Sequence, residues 1–242
     1  MKPLIVLLAI CYFADCVQLP PNFTKCNRKD PDWKECVLKA AIDGAPQLKQ
    51  PFPELNIPNL EPFLIPELTI AGSGAVQVTQ HFKNSRLYGI TNVDIKKLDF
   101  DFDKKVIELE GTFPELRIPG EYKFDGRILL LPIVGEGTGE TTLKNLHVKT
   151  TLNFEEIKKK RKTFINVVSG KLKMVPGFIH FRFDNLFNGD KRLGDNVNQV
   201  MNDNWEAIFK DIEESYSELI VQVLTNLVNR FFSKVSVEEA FE

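Results

Sequence analysis

The sequence predicts an α+β domain in which a strongly curved antiparallel sheet wraps a long C-terminal helix, with a short helix near the N-terminus. Three observations predict it. From about Asp195 to Ser233, apolar residues recur at threes, fours and ones (Val197, Val200, Met201, Trp205, Ile208, Phe209, Ile212 and onward to Phe231), which makes one continuous face at helical period. From Ala75 to Leu186 the period changes to two, with turn residues between the runs. A sheet with one apolar face must cover it, and the long helix carries the matching face.

The elements follow in order. The chain opens MKPLIVLLAICYFADC, with Lys2 ahead of an apolar run from Leu4 to Phe13 and small residues at Ala14 and Cys16. This pattern predicts a secretory signal peptide over residues 1–16. A membrane anchor would need ~20 apolar residues, and the run stops at Asp15. Removing 16 of the 242 residues leaves 226, residues 17–242, enough for one substantial domain. Cys26 and Cys36 are the cysteines left in that mature chain, and a secreted context favours pairing them. Asn22-Phe23-Thr24 is the one sequon and makes Asn22 the candidate for glycosylation.

Asp32 precedes WKECVLKAAIDGA with Glu35 three residues later, which reads as an N-cap and capping box. Trp33, Val37, Leu38, Ala41 and Ile42 would share one face, and Gly44 or Pro46 would end the helix. Prolines at 51, 53, 58, 62 and 66 then forbid a helix or a central strand, so the segment reads as an extended connector on the body of the protein. Within the strand region, Leu98, Phe100 and Phe102 alternate with aspartates, Leu146 to Phe154 alternates, and Ile179, Phe181 and Phe183 alternate with His180, Arg182 and Asp184. GEGTG at 135–139 reads as a hairpin turn and KKKRK at 158–162 as a solvated hairpin tip.

Composition excludes several functions. A net charge of −2 gives no drive toward nucleic acid or an anionic membrane. His81, His147 and His180 lack metal-ligand spacing, and Asp99, Asp101 and Asp103 lack the turn glycine and closing Glu of a calcium loop, so neither metal nor cofactor is expected. GEGTG is not a dinucleotide fingerprint, AGSGA at 71–75 lacks the nucleophile-elbow spacing, and no HExxH or P-loop occurs. Catalysis has no positive sign, and the chain is expected not to be an enzyme.

Three stretches, DWKECVLKAAIDGAPQL, GRILLLPIVGEGTGETTLKNL and HFRFDNLFNGDKRLGDNVNQVMNDNWEAIF, resemble the insect takeout and hemolymph juvenile hormone-binding protein family, and the similarity covers the mature chain. That family belongs to the tubular lipid-binding superfamily. The resemblance implies a long helix wrapped by a curved sheet with an internal apolar tunnel. It also implies a secreted, non-enzymatic carrier of small hydrophobic ligands such as juvenile hormone-like terpenoids or fatty acids, with links to feeding, circadian output and chemosensation. Cys26 and Cys36 match the family's N-terminal disulfide. The chain has no cysteine after Cys36, whereas hemolymph hormone carriers have a second bridge, which places it nearer takeout. Ser236 stands where takeout-like chains are expected to carry proline.

The expected lining of the tunnel is Trp33, Leu38, Leu130, Phe181, Phe183, Trp205, Phe209 and Leu224. The expected protein is a secreted monomer whose partner is a small hydrophobic ligand, with a receptor as a further partner and no membrane span. LIVQVLTNLVNRFF at 219–232 is too short and too polar to cross a bilayer. The alternative reading is a secreted interaction or signalling module that transports nothing.

Overall fold

A computed structural model describes residues 18–72 and 76–242. The leader read at residues 1–16 lies outside them. The short helix forms as α1, Trp33–Gly44, but Asp32 (φ −99°, ψ 16°) makes no side-chain cap, and Ile42 on its expected apolar face is exposed. Cys26 and Cys36 are disulfide-bonded with Cα atoms 5.7 Å apart, tying α1 to the segment before it.

Seven strands make one antiparallel sheet. They are β1 (Phe63–Ile70), β2 (Val76–Leu87), β3 (Asp94–Asp101), β4 (Val106–Ile128), β5 (Leu131–Lys159), β6 (Lys162–Val175) and β7 (Phe178–Phe183). Strands β4 and β5, of 23 and 29 residues, run as a ribbon through the whole sheet. One end of that ribbon is flanked by β2 and β7, the other by β3 and β6, with β1 outside β2. The β4–β5 register is interrupted where Pro114, which has no N–H, stands opposite Asn145 at φ 48°. That break lies between the two halves. The connector holds no α-helix up to Pro62, but it is not extended throughout: Pro53–Leu55 form a 3₁₀ turn and Asn56 adopts φ 55°. Residues from Phe63 then form β1, an edge strand, where Pro66 drops out of the β1–β2 register opposite Asn84.

GEGTG is not a turn. It lies inside β5, and the β4–β5 loop falls at Leu129 and Leu130. Its glycines are there for closeness. A Cβ on Gly139 would stand 2.4 Å from Cδ1 of Phe183, and one on Gly135 (φ 154°) would stand 2.9 Å from the Leu186 Cα. KKKRK does form a hairpin tip, with Lys160 and Arg161 both at positive φ between β5 and β6.

The long helix is two helices. α2 (Lys191–Asp203) starts before the expected Asp195, capped by the Asp190 carboxylate, which accepts from the Leu193 N–H. α3 (Trp205–Phe232) carries most of the apolar face. Between them Asn204 adopts φ −120°, ψ 24°, and its Nδ2 donates to the Val200 carbonyl, 2.8 Å. Asparagine competes locally for backbone hydrogen bonds, and a run of Asn and Asp from 202 to 204 offers little helix propensity to resist it.

Three further asparagines fasten the helices to free strand edges. Asn198 accepts from the Phe183 N–H (2.9 Å) and donates to its carbonyl (2.9 Å). Asn202 does the same at Phe181 (2.7 and 2.9 Å) and Asn229 at Val167 (2.7 and 3.0 Å). Each carboxamide stands in for a neighbouring strand and satisfies a backbone pair that β6 or β7 would otherwise leave open.

A last helix, α4 (Val237–Phe241), closes one end. Ser236 is fully buried and caps it, accepting from Glu239 N–H at 3.2 Å, which gives that position a structural reason. The N-terminal segment lies along it, with Cys26 N–H donating to Ala240 O (3.1 Å) and Arg28 N–H to Phe241 O (2.8 Å). Among the described residues, no helix is long and apolar enough to cross a membrane.

Candidate functional site

Strand alternation points Val76, Val78, Gln80 and Phe82 of β2 toward the interior, and the same rule turns Tyr122 and Phe124 of β4 and Ile179, Phe181 and Phe183 of β7 inward. Across from them α3 presents Ile208, Phe209, Ile212, Tyr216, Leu219 and Ile220 at helical spacing. Between the two surfaces is a cavity of about 220 Å³. Its wall also includes Met174 and Met201, whose unbranched thioethers can repack around an occupant. A second cavity, of about 200 Å³, lies at the α4 end between Phe23, Val37, Phe100 and Phe241. These two cavities have no lining residue in common.

Among the described residues, no Lys, Arg, His, Asp or Glu lines the larger cavity. Its polar groups are few and neutral. The Tyr122 hydroxyl donates to the Asp184 carbonyl at 2.7 Å, and burial, with the nearby Asp184 charge, pushes that phenol up to about 12. Burial pushes the Tyr216 phenol higher still, and its hydroxyl donates to Gln80 Oε1 at 3.1 Å. Outside the cavity, the strand aspartates are paired with lysines, Asp99 with Lys34 and Asp101 with Lys104, each at 3.0 Å. Among the described residues, no group of three His, Cys, Asp or Glu is placed to hold a metal ion.

Of the eight residues expected to line the tunnel, Phe181, Phe183 and Phe209 line the larger cavity. The other five lie elsewhere. Leu130 is at the β4–β5 tip and 93% exposed. Trp33 packs at the α4 end, with ring centroids 6.1 Å from Phe102 and 6.3 Å from Phe241. Trp205 packs edge-on against Phe178 at 6.1 Å, and Leu38 and Leu224 are partly buried on α1 and α3 outside both cavities. The causes are local. Leu130 belongs to a two-residue loop, and Trp205 opens a new helix after the Asn204 break, so neither sits where a straight continuation would put it. Gln80 and Tyr216 were missed. Gln80 shares the inward phase of VQVTQHF with Val76, Val78 and Phe82, and that phase was the available signal. Asn22 is exposed.

The fold and site define an apolar chamber between a wrapped sheet and a helix. The chain belongs to the haemolymph juvenile hormone binding protein (JHBP) family, whose profile matches residues 4–242. It is 26% identical over 232 residues to the circadian clock-controlled protein daywake of Drosophila melanogaster, covering 92% of this chain and 88% of that one. The daywake protein of Drosophila yakuba is 22% identical with the same coverage. The crystal structure of Epiphyas postvittana Takeout 1 has the same fold, with a TM-score of 0.80 at 24% identity, covering 90% of this chain and 99% of that one.

Proposed function

We propose that the protein is a secreted, non-enzymatic carrier that holds a small hydrophobic ligand between the inner face of its sheet and α3. The observation that carries this reading is the uncharged, mostly apolar wall of the larger cavity. A terpenoid or acyl chain of about 15 carbons gains on the order of 10 kcal/mol gross on burial, at ~0.8 kcal/mol per CH₂. Association and ordering costs leave micromolar or tighter binding within reach. The family's name supports a juvenile hormone-like terpenoid or a similar lipid as the ligand class, and the name of the daywake relatives supports a place in circadian output. In this reading residues 1–16 are removed on export, the mature domain is residues 17–242, and Phe181, Phe183 and Phe209 contact the ligand.

Lipid extraction and mass spectrometry of the protein secreted from eukaryotic cells tests the proposal. A co-purifying lipid at near-stoichiometric level is the expected result. A protein that emerges empty, and neither takes up terpenoid or acyl esters nor displaces a fluorescent lipid, would sink the carrier reading. Hydrolysis of those esters above a heat-killed control would sink its non-enzymatic part.

A further inference from the structure

We propose that Gln80 and Tyr216 form a polar recognition point within the larger cavity, and that it selects a neutral lipid bearing one hydrogen-bond acceptor, such as an ester or ketone carbonyl, over a carboxylate or a bare hydrocarbon. The inference rests on the carrier reading and specifies its ligand. Gln80 is 7% exposed and lines the cavity from β2, in phase with Val76 and Val78. Its Oε1 accepts from the Tyr216 hydroxyl, 3.1 Å, while its Nε2 is buried with no hydrogen-bond partner among the described residues. A buried carboxamide donor without a partner is uncommon and destabilising, so a group facing it has reason to be an acceptor.

Either orientation of the carboxamide leaves a donor at this point. With Oε1 toward Tyr216, both Nε2 hydrogens are free. With Nε2 toward the Tyr216 oxygen, one Nε2 hydrogen and the phenolic hydrogen are free. Either way a donor remains for a ligand oxygen. A carboxylate would enter a wall that has no cation to pair with it, and an unpaired ion taken out of water is heavily penalised. A hydrocarbon would leave the amide as it is, unsatisfied.

The test is competitive loading of the delipidated full mature chain. Decane, methyl nonanoate and nonanoic acid are offered together at about pH 8, where the acid is ionised, and bound lipid is quantified after gel filtration. The expected result is that Gln80→Leu combined with Tyr216→Phe, which removes both donors, lowers the bound ester-to-alkane ratio by roughly fivefold to tenfold relative to the native chain, the value of one hydrogen bond. The native chain should also exclude the ionised acid relative to the ester. The paired variant should melt close to the native chain, since it removes both partners of the Gln80–Tyr216 bond together with the unpaired donor. Gln80→Met, of similar length and without an N–H, again with Tyr216→Phe, should give the same ratio and serves if the leucine variant does not fold. An unchanged ester-to-alkane ratio in either folded variant overturns the inference and leaves the carrier reading standing. Loading of none of the three lipids overturns the carrier reading and the inference with it.

Discussion

Asn202 on α2 grips the backbone of Phe181 on β7 at two points: its Oδ1 accepts from the Phe181 N–H at 2.7 Å and its Nδ2 donates to the Phe181 carbonyl at 2.9 Å. The side chain of Phe181 lines the larger cavity, so the clamp also positions a piece of its wall. Asn202→Ala should cost about 2 kcal/mol, because it leaves a partly buried N–H and C=O unmatched. Asn202→Asp should recover little, since it turns an oxygen toward the Phe181 carbonyl. Urea denaturation gives the energies, and faster exchange of the Phe181 amide locates the loss. A change below about 0.5 kcal/mol for Asn202→Ala would mean that solvent replaces the clamp.

Neighbours on β7 separate wall from surface. Phe181 is buried, nearly parallel to Phe183 with ring centroids 6.4 Å apart, whereas His180 is exposed on the opposite face. Phe181→Ala should enlarge the cavity and shift the preferred ligand toward greater length. It should also cost about 3 kcal/mol, the low end for a buried Phe truncation, because one side of the ring already faces open space. His180→Ala should change stability by about 0.5 kcal/mol or less and leave binding alone. Thermal melts and displacement of a fluorescent lipid measure both. A larger binding defect in His180→Ala than in Phe181→Ala would contradict the wall as drawn.

The phase of β7 was legible in FIHFRF because period two has a single solution when one face is buried. So was the pairing of sheet with helix. Strand lengths were not. Glycines read as turns in GEGTG sit inside β5, since the demand for them comes from Phe183 and Leu186, far away in sequence. FPELNIP and FPELRIP show the same limit. The first contains a 3₁₀ turn at Pro53–Leu55, and the second runs extended in β4. In sequence the asparagines of NVNQVMNDNW only interrupt an apolar face, whereas in the structure Asn198 and Asn202 serve β7 and Asn204 breaks the helix. Their function is visible only once the strand edges are in place.

The disulfide gives a third prediction. Cys26 is 3% exposed and belongs to the core at the α4 end, ten residues before Cys36. Cys36→Ser should cost roughly 2.5–3 kcal/mol in the chain-entropy model for so short a loop. Intact mass of the purified, unreduced protein should be two hydrogens below that of the reduced chain. Two free thiols in folded protein would remove the bridge from the account, and an unchanged urea midpoint for Cys36→Ser would remove its contribution to stability.

Acid should loosen the α4 end. Burial pushes the Glu238 carboxyl up, but hydrogen bonds from the Thr163 N–H, 3.0 Å from both carboxylate oxygens, from its own N–H and from the Thr163 and Ser236 side chains together more than offset it and leave the group below its usual value of 4.5. Glu239 behaves alike: burial raises it, while its pairing with Lys25 and the Leu19 N–H at 3.0 Å hold it down. A carboxylate with a depressed folded value contributes stability that is complete above its unfolded value, near 4.5 here, and is lost as pH falls through the folded value. The melting temperature should therefore fall as pH is lowered from about 5 through 4 and below. Glu238→Gln should lower it at neutral pH and flatten that acid slope, because the neutral amide no longer titrates and Thr163 keeps only a neutral acceptor. Since Cys26 and Arg28 bond to the backbone of α4, the same acidification should free the N-terminal segment and speed amide exchange at Cys26 before it does at Phe181. Simultaneous loss of protection at both amides would show that the α4 end does not open on its own and that the acid effect is global.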